Sequence, residues 1–140
     1  MFDLSPAPLD AATLRRQQMA DASGGFVCFE GWVRNHNDGR DVRGLQYEAY
    51  EALALSEGQR IIDEALQKFA IRSARCQHRI GALEIGELAV WVGTDAAHRD
   101  AAFKACRYII DEVKKRVPIW KKELYADGDT TWVDCREQET

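Results

Sequence analysis

A chain of 140 residues with 46% apolar and 30% charged side chains is long enough to enclose one core and too short for two comfortable domains, so residues 1–140 are read as a single domain. Its formal net charge of −4 excludes a generally basic surface for long nucleic acids, and any anion site must be a local concentration of Lys and Arg. No 18-residue apolar stretch occurs, and no positive region precedes an apolar run at the start, which predicts a cytoplasmic protein with neither a membrane nor a nucleic-acid partner.

Residues 1–24 are expected to form an N-terminal helical segment. Leu14 and Met19 stand among polar residues from Asp10 to Ala20, Asp10 is placed to cap, and Asp21 to Gly25 ends the helix. Phe26 to Val33 predicts a central strand covered on both sides, with Phe26, Cys28 and Trp32 on one face and Val27, Phe29 and Val33 on the other. Arg34 to Asp41 is polar and turn-rich and is read as a loop, with Arg34 where the strand ends. A second strand from Val42 to about Tyr50 should pair antiparallel with the first.

Glu51 to Phe69 places Leu55, Ile61, Ile62, Ala65, Leu66 and Phe69 at helical spacing, interrupted by Gly58. Strand character returns over Ile71 to Arg79 and Leu88 to Val92, with Gly81 and Gly86 punctuating the interval. Thr94 or Asp95 can cap a second long helix whose stripe of Phe103, Cys106, Ile110 and Val113 runs up to Pro118. Leu124-Tyr125 and Thr131 to Val133 predict a closing hairpin, followed by a polar tail over residues 134–140. These elements lack the regular strand-helix alternation of a parallel sheet, so the expected class is α+β with a mostly antiparallel sheet and two long helices.

Chemistry concentrates at Lys114-Lys115-Arg116-Val117-Pro118-Ile119-Trp120-Lys121-Lys122-Glu123, five cations around a proline that must end a helix. Lys114 and Lys121 can then point into one pocket from the two sides of the chain reversal. Lys114 is the candidate reactive amine, because the neighbouring cations disfavour its charged form, and Lys121 and Arg34 are candidate anion clamps. The competing reading is a solvated helix end whose cations offset the helix dipole. His98 and Arg99 fall in the first turn of the second long helix, where backbone N–H groups favour an anion and the dipole disfavours imidazolium. Both could equally bend into water. His78-Arg79 on a strand is read as structural, with one member turned inward, and His36 is a weaker candidate. Cys28, Cys76, Cys106 and Cys135 form no Cys-x-x-Cys pair and read as reduced and mostly packing residues, so no metal site is expected. His98 and Lys114 are 114 − 98 = 16 residues apart, about 24 Å along one helix, so a site using both needs two copies of the chain.

Several ordered motifs, Phe29-x-Gly31-x-Val33-Arg34, Leu45-x-Tyr47-Glu48-Ala49-Tyr50, His78-Arg79-Ile80-Gly81, Gly86-Glu87, His98-Arg99-x-x-Ala102-Phe103 and the basic stretch from Lys114 to Glu123, run in sequence from about Gly25 to Val133. With them the chain resembles the large, catalytic subunits of molybdopterin synthase. That resemblance implies an α/β hammerhead fold and a homodimer carrying two small ubiquitin-like sulfur-carrier subunits, one at each end of a heterotetramer. It also implies transfer of sulfur from the carrier's Gly-Gly thiocarboxylate to cyclic pyranopterin monophosphate, in the biosynthesis of the molybdenum cofactor, with no resident cofactor. The implied substrate contacts are Trp32, Val33, Arg34, His98, Arg99, Lys114, Lys121, Lys122, Glu123 and Arg136, with Lys114 and Lys121 catalytic. A non-catalytic docking module for a ubiquitin-like tail is the alternative reading, separated from the enzyme by phosphate-bearing pterin binding. A small RNA-binding domain is disfavoured by the acidic total.

Overall fold

The computed structural model describes residues 1–137, which form nine strands and three α-helices. The chain opens on a strand where a helical segment is predicted. β1 (Phe2–Ser5) pairs in parallel with β5 (Ser73–Arg79), Phe2 opposite Cys76. Four residues are too few for periodicity to reveal. Phe2 is buried over Gly58 of α2 (Glu51–Lys68), where a β-carbon would stand 2.2 Å from its ring. Gly58 is therefore the seat on which β1 docks, not a mere interruption of the helix. Between them lies α1 (Ala11–Gln18), capped as predicted by Asp10, whose side chain accepts from the Thr13 N–H at 3.1 Å.

The first sheet runs β1-β5-β7-β2, and among the described residues β1 with β5 is its one parallel pair. β2 (Gly25–Trp32) lies on the edge beside β7 (Leu88–Ala96), with Cys28 and Phe29 exposed. The prediction of a central β2 paired with β4 is thus corrected, and Cys28 is the exposed one of four cysteines of which Cys76, Cys106 and Cys135 are buried. β7 takes the interior position because its run from Ala89 to Ala96 is buried throughout. It also absorbs Thr94 and Asp95, which do not cap the next helix. Thr94 Oγ1 donates to the Ala102 carbonyl at 2.7 Å, and Asp95 is buried against Arg72, Ser73, Ser23 and Gln18. The cap position of α3 (Arg99–Arg116) belongs to His98, which makes no side-chain capping bond.

α2 and α3 pack on this sheet, joining Ile61, Ile62, Ile109 and Val113 to Val90, Val92 and Cys76. Ala102 and Ala105 seat α3 close to β7, which turns Phe103 outward to 60% exposure, away from the predicted stripe. On α2, Ala54 is buried while Leu55 and Leu66 are exposed. The buried faces of both helices thus mix small residues with Ile and Val, and some large residues expected inside lie outside.

The second sheet runs β3-β4-β8-β9, with β6 also paired to β4. The stretch read as a loop holds β3 (His36–Asn37), joined to β4 (Arg40–Ala49) by Asp38 and Gly39 at φ 49° and 74°. That is the two-residue turn a tight hairpin requires. β6 (Gly81–Glu84) occupies the interval between the two glycines, unforeseen because it is short. β8 (Ile119–Tyr125) and β9 (Thr130–Asp134) form the predicted closing hairpin, and residues 135–137 make one 3-10 turn. The remainder of the predicted polar tail, residues 138–140, lies outside the described residues. The architecture is α+β with a mostly antiparallel sheet, as expected. Among the described residues no helix is long and apolar enough to cross a membrane.

Candidate active site

Pro118 divides the basic stretch. Val117 leaves helical backbone at φ −80° and ψ 126°, and β8 begins two residues later at Ile119. Lys114, in the last turn of α3, and Lys121, on β8, consequently face one cleft of roughly 570 Å³. Strand alternation sends Lys121 and Glu123 into it and Lys122 to the other side, where its Nζ lies 4.9 Å from the Trp132 ring centroid. Lys115 and Arg116 also point elsewhere, Lys115 toward Glu112 and Arg116 into a bridge with Glu57 and Glu64 that ties α3 to α2.

Arg34 arrives by a separate route. The β2 register shifts between Gly31 and Trp32, the Val33 N–H donates to the Glu87 carbonyl at 3.0 Å, and the Val33 carbonyl accepts from the Gly86 N–H at 2.9 Å. This bulge re-aims the strand end so that Trp32, Val33 and Arg34 all line the cleft. Val33 is buried in the wall, while Trp32 is 65% exposed at the rim, its indole N–H donating to Glu30. Arg34 is exposed, and among the described residues its one hydrogen bond, to Asn37 at 3.5 Å, is long. Its guanidinium is available to an anion.

Burial is the main cause that pulls the Lys114 pKa below the ordinary lysine value; Cys135 opposes it, and Lys121 and Arg34 add to it. Of the cations that flank it in the basic stretch, Lys121 contributes, and burial, not those neighbours, is the larger cause. Lys121 Nζ sits 2.9 Å from Glu123 Oε1. Burial would raise the Glu123 carboxyl, yet Lys121, by hydrogen bond and charge, together with hydrogen bonds from Tyr125 and Asn37, holds the group below its usual range. His78 and Arg79 are both buried, not one of the pair. His78 packs edge-on to Tyr47, and burial, with Lys114 adding to it, pushes its imidazole down to about 4. It is a neutral neighbour of the site at every ordinary pH.

His98 and Arg99 lie at the far end of α3, exposed, and do not join this cleft within one chain. Arg136 pairs with Asp134 at 2.7 Å and lies 5.4 Å over Trp120, on the side of β8 that also carries Lys122. His36 does reach the cleft, with Asn37 and Tyr47, which sequence reasoning left out of the site. The available signal for Tyr47 was alternation, since Leu45 and Tyr47 share the β4 face that meets Glu123 and Lys121 in register. Among the described residues no group of His, Cys, Asp and Glu could hold a metal ion.

The family model described as MoaE protein matches residues 4–116. The molybdopterin synthase catalytic subunit of Pyrococcus abyssi is 49% identical over 82% of this chain and 77% of its own length. That of Thermoplasma volcanium is 46% identical over 89% of each. Among solved structures, molybdopterin synthase from Staphylococcus aureus superposes with a TM-score of 0.88 at 33% identity, covering 94% of this chain and 96% of its own. A match across most of the length, in both sequence and fold, establishes that this chain belongs to the MoaE protein family.

Proposed function

We propose that this chain is the catalytic subunit of a cytoplasmic molybdopterin synthase. It moves sulfur from the C-terminal thiocarboxylate of a small ubiquitin-like carrier to cyclic pyranopterin monophosphate. The observation that carries the reading is the convergence of Lys114, Lys121 and Arg34 on one cleft, with Lys114 buried enough to weaken its hold on its proton. A neutral amine can act as the acid/base group, the Lys121 ammonium stabilises developing oxyanions, and Arg34 grips phosphate or carboxylate by two-point contact. Glu123 holds Lys121 in place. Sulfur arrives on the partner, so no cysteine of this chain has to supply it.

His98 and Arg99 complete the anion site from a second copy, two-fold symmetry giving two equivalent sites and a heterotetramer with two carriers. Arg99 and the exposed Phe103 share one face of α3 at i and i+4, beside the open edge of β2 with exposed Phe29. Such a surface suits a protein partner. Lys122 and Arg136, on the opposite side of β8, contact substrate only where the assembled complex brings it to them. The test is to mix the purified chain with thiocarboxylated carrier and cyclic pterin and look for the dithiolene product. Lys114→Ala should cut turnover by about 10²-fold or more while carrier binding changes little. Full sulfur transfer by that variant would refute the assignment.

A further inference from the structure

The cationic cleft contains one hydroxyl with no role so far. Tyr47 lines it, is 8% exposed, and stands directly opposite Lys121 in the β4-β8 register. Cross-strand partners of this kind hold their β-carbons about 4.5–5.5 Å apart on one face. The Tyr47 ring is braced edge-on by His78, with centroids 4.8 Å apart and planes at 87°. His78 is itself fixed, because its Nδ1 lies 2.7 Å from the Arg79 carbonyl and donates to it. Among the described residues the Tyr47 hydroxyl makes no hydrogen bond to protein, and it is not sealed in the core, so it is free to donate to a group in the cleft. Burial raises its pKa, so it remains a donor throughout the working range.

We propose that Tyr47 is a further catalytic residue of the sulfur-transfer reaction, its hydroxyl donating a hydrogen bond to the acyl oxygen of the carrier tail. This rests on the reading of the cleft given above. Once sulfur bridges the carrier's acyl carbon and the pterin, release requires water to add to that carbon. A C–O bond forms, the carbonyl π pair moves to oxygen, and the neutral Lys114 amine takes the water's proton. The oxyanion then collapses, the C–S bond breaks with its pair on sulfur, and the products are a pterin thiolate and the carrier's carboxylic acid, which gives its proton to bulk water and leaves as the carboxylate. No oxidant or reductant is needed. The charge on the acyl oxygen at the midpoint is where a neutral donor on β4 and the Lys121 ammonium on β8 converge.

Tyr47→Phe keeps the ring and its packing on His78 and removes only the donor. It should lower kcat by about 10- to 100-fold, leave KM for carrier and cyclic pterin within about twofold, and leave Tm nearly unchanged. An unchanged kcat, or a raised KM with unchanged kcat, overturns the proposal. Fluorotyrosine placed at position 47 preserves shape while strengthening the donor, which guards against a folding defect in the Phe variant. A kcat that varies with phenol acidity supports the role, and a flat series overturns it. A wild-type chain that makes no dithiolene product defeats the functional reading itself, whereas an active wild type matched by Tyr47→Phe defeats only the role of Tyr47.

Discussion

Gly58→Ala probes how β1 is held on α2. An added β-carbon would stand 2.2 Å from Cγ and Cδ1 of Phe2 and 2.6 Å from Cδ2, where ordinary contacts begin at 3.4 Å. The ring must retreat by about 1 Å or more, yet Phe2 is 3% exposed and its N–H is bonded to Gln59 Oε1 at 3.1 Å. Overpacking of this kind costs about 1–3 kcal/mol. A clash this deep belongs in the upper half of that range, about 2–3 kcal/mol, and replacing glycine in a helix interior returns about 1 kcal/mol, so the net loss should be about 1–2 kcal/mol. For a chain of this length that is a fall in Tm of about 3–7 °C. Thermal and urea unfolding of wild type, Gly58→Ala, Phe2→Ala and the double variant provide the assay. Without the Phe2 ring the same Gly58→Ala change should stabilise, by up to about 1 kcal/mol. A Gly58→Ala protein as stable as wild type, or a cost that persists in the Phe2→Ala background, would refute the docking account.

Two further predictions concern charge. Lys121→Ala should reduce turnover at least about tenfold and destabilise the fold by about 1–3 kcal/mol, because it leaves Glu123 buried without its partner, whereas Lys122→Ala should change turnover less than about threefold. Steady-state kinetics on both variants decide this, and equal losses would contradict the alternation of β8. The Arg116 guanidinium, helped by the Tyr108 hydroxyl, holds the Glu64 carboxyl down at about 2. A folded pKa below the unfolded one stabilises the native state fully above about pH 4.5 and loses that contribution as the pH falls toward 2. Glu64→Gln should therefore be less stable than wild type at pH 7, by about 1 kcal/mol, with the gap closing in acid. Denaturation curves showing the same gap at pH 7 and pH 3 would rule this out.

Much of the site was legible because it rests on local chemistry. Pro118 forces the reversal that brings Lys114 and Lys121 to one cleft, and period-two alternation on β8 is enough to separate Lys121 and Glu123 from Lys122. What escaped sequence reasoning depends on contacts far apart in the chain. β1 and β6 span four residues each and are recognisable as strands only beside β5 and β4. The pairing of β2 with β7 in place of β4 is a choice of partner that neither strand encodes alone. Phe103 reads as core by its spacing but is turned out because Ala102 and Ala105 allow α3 to approach β7. Tyr47 looked like ordinary strand material, and its place in the cleft follows only from the register that sets it against Lys121.

The composite site is tested most directly by mixing two inactive variants. Lys114→Ala disables the cleft of its own chain but still presents a native His98-Arg99, while His98→Ala/Arg99→Ala retains a native cleft and spoils the one across the two-fold axis. Refolding or subunit exchange of an equal mixture should restore about a quarter of wild-type dithiolene formation, because half of the dimers are mixed and each mixed dimer has one intact site. Activity no greater than the sum of the two variants alone, with mixed dimers demonstrably present, would show that each chain builds its site by itself.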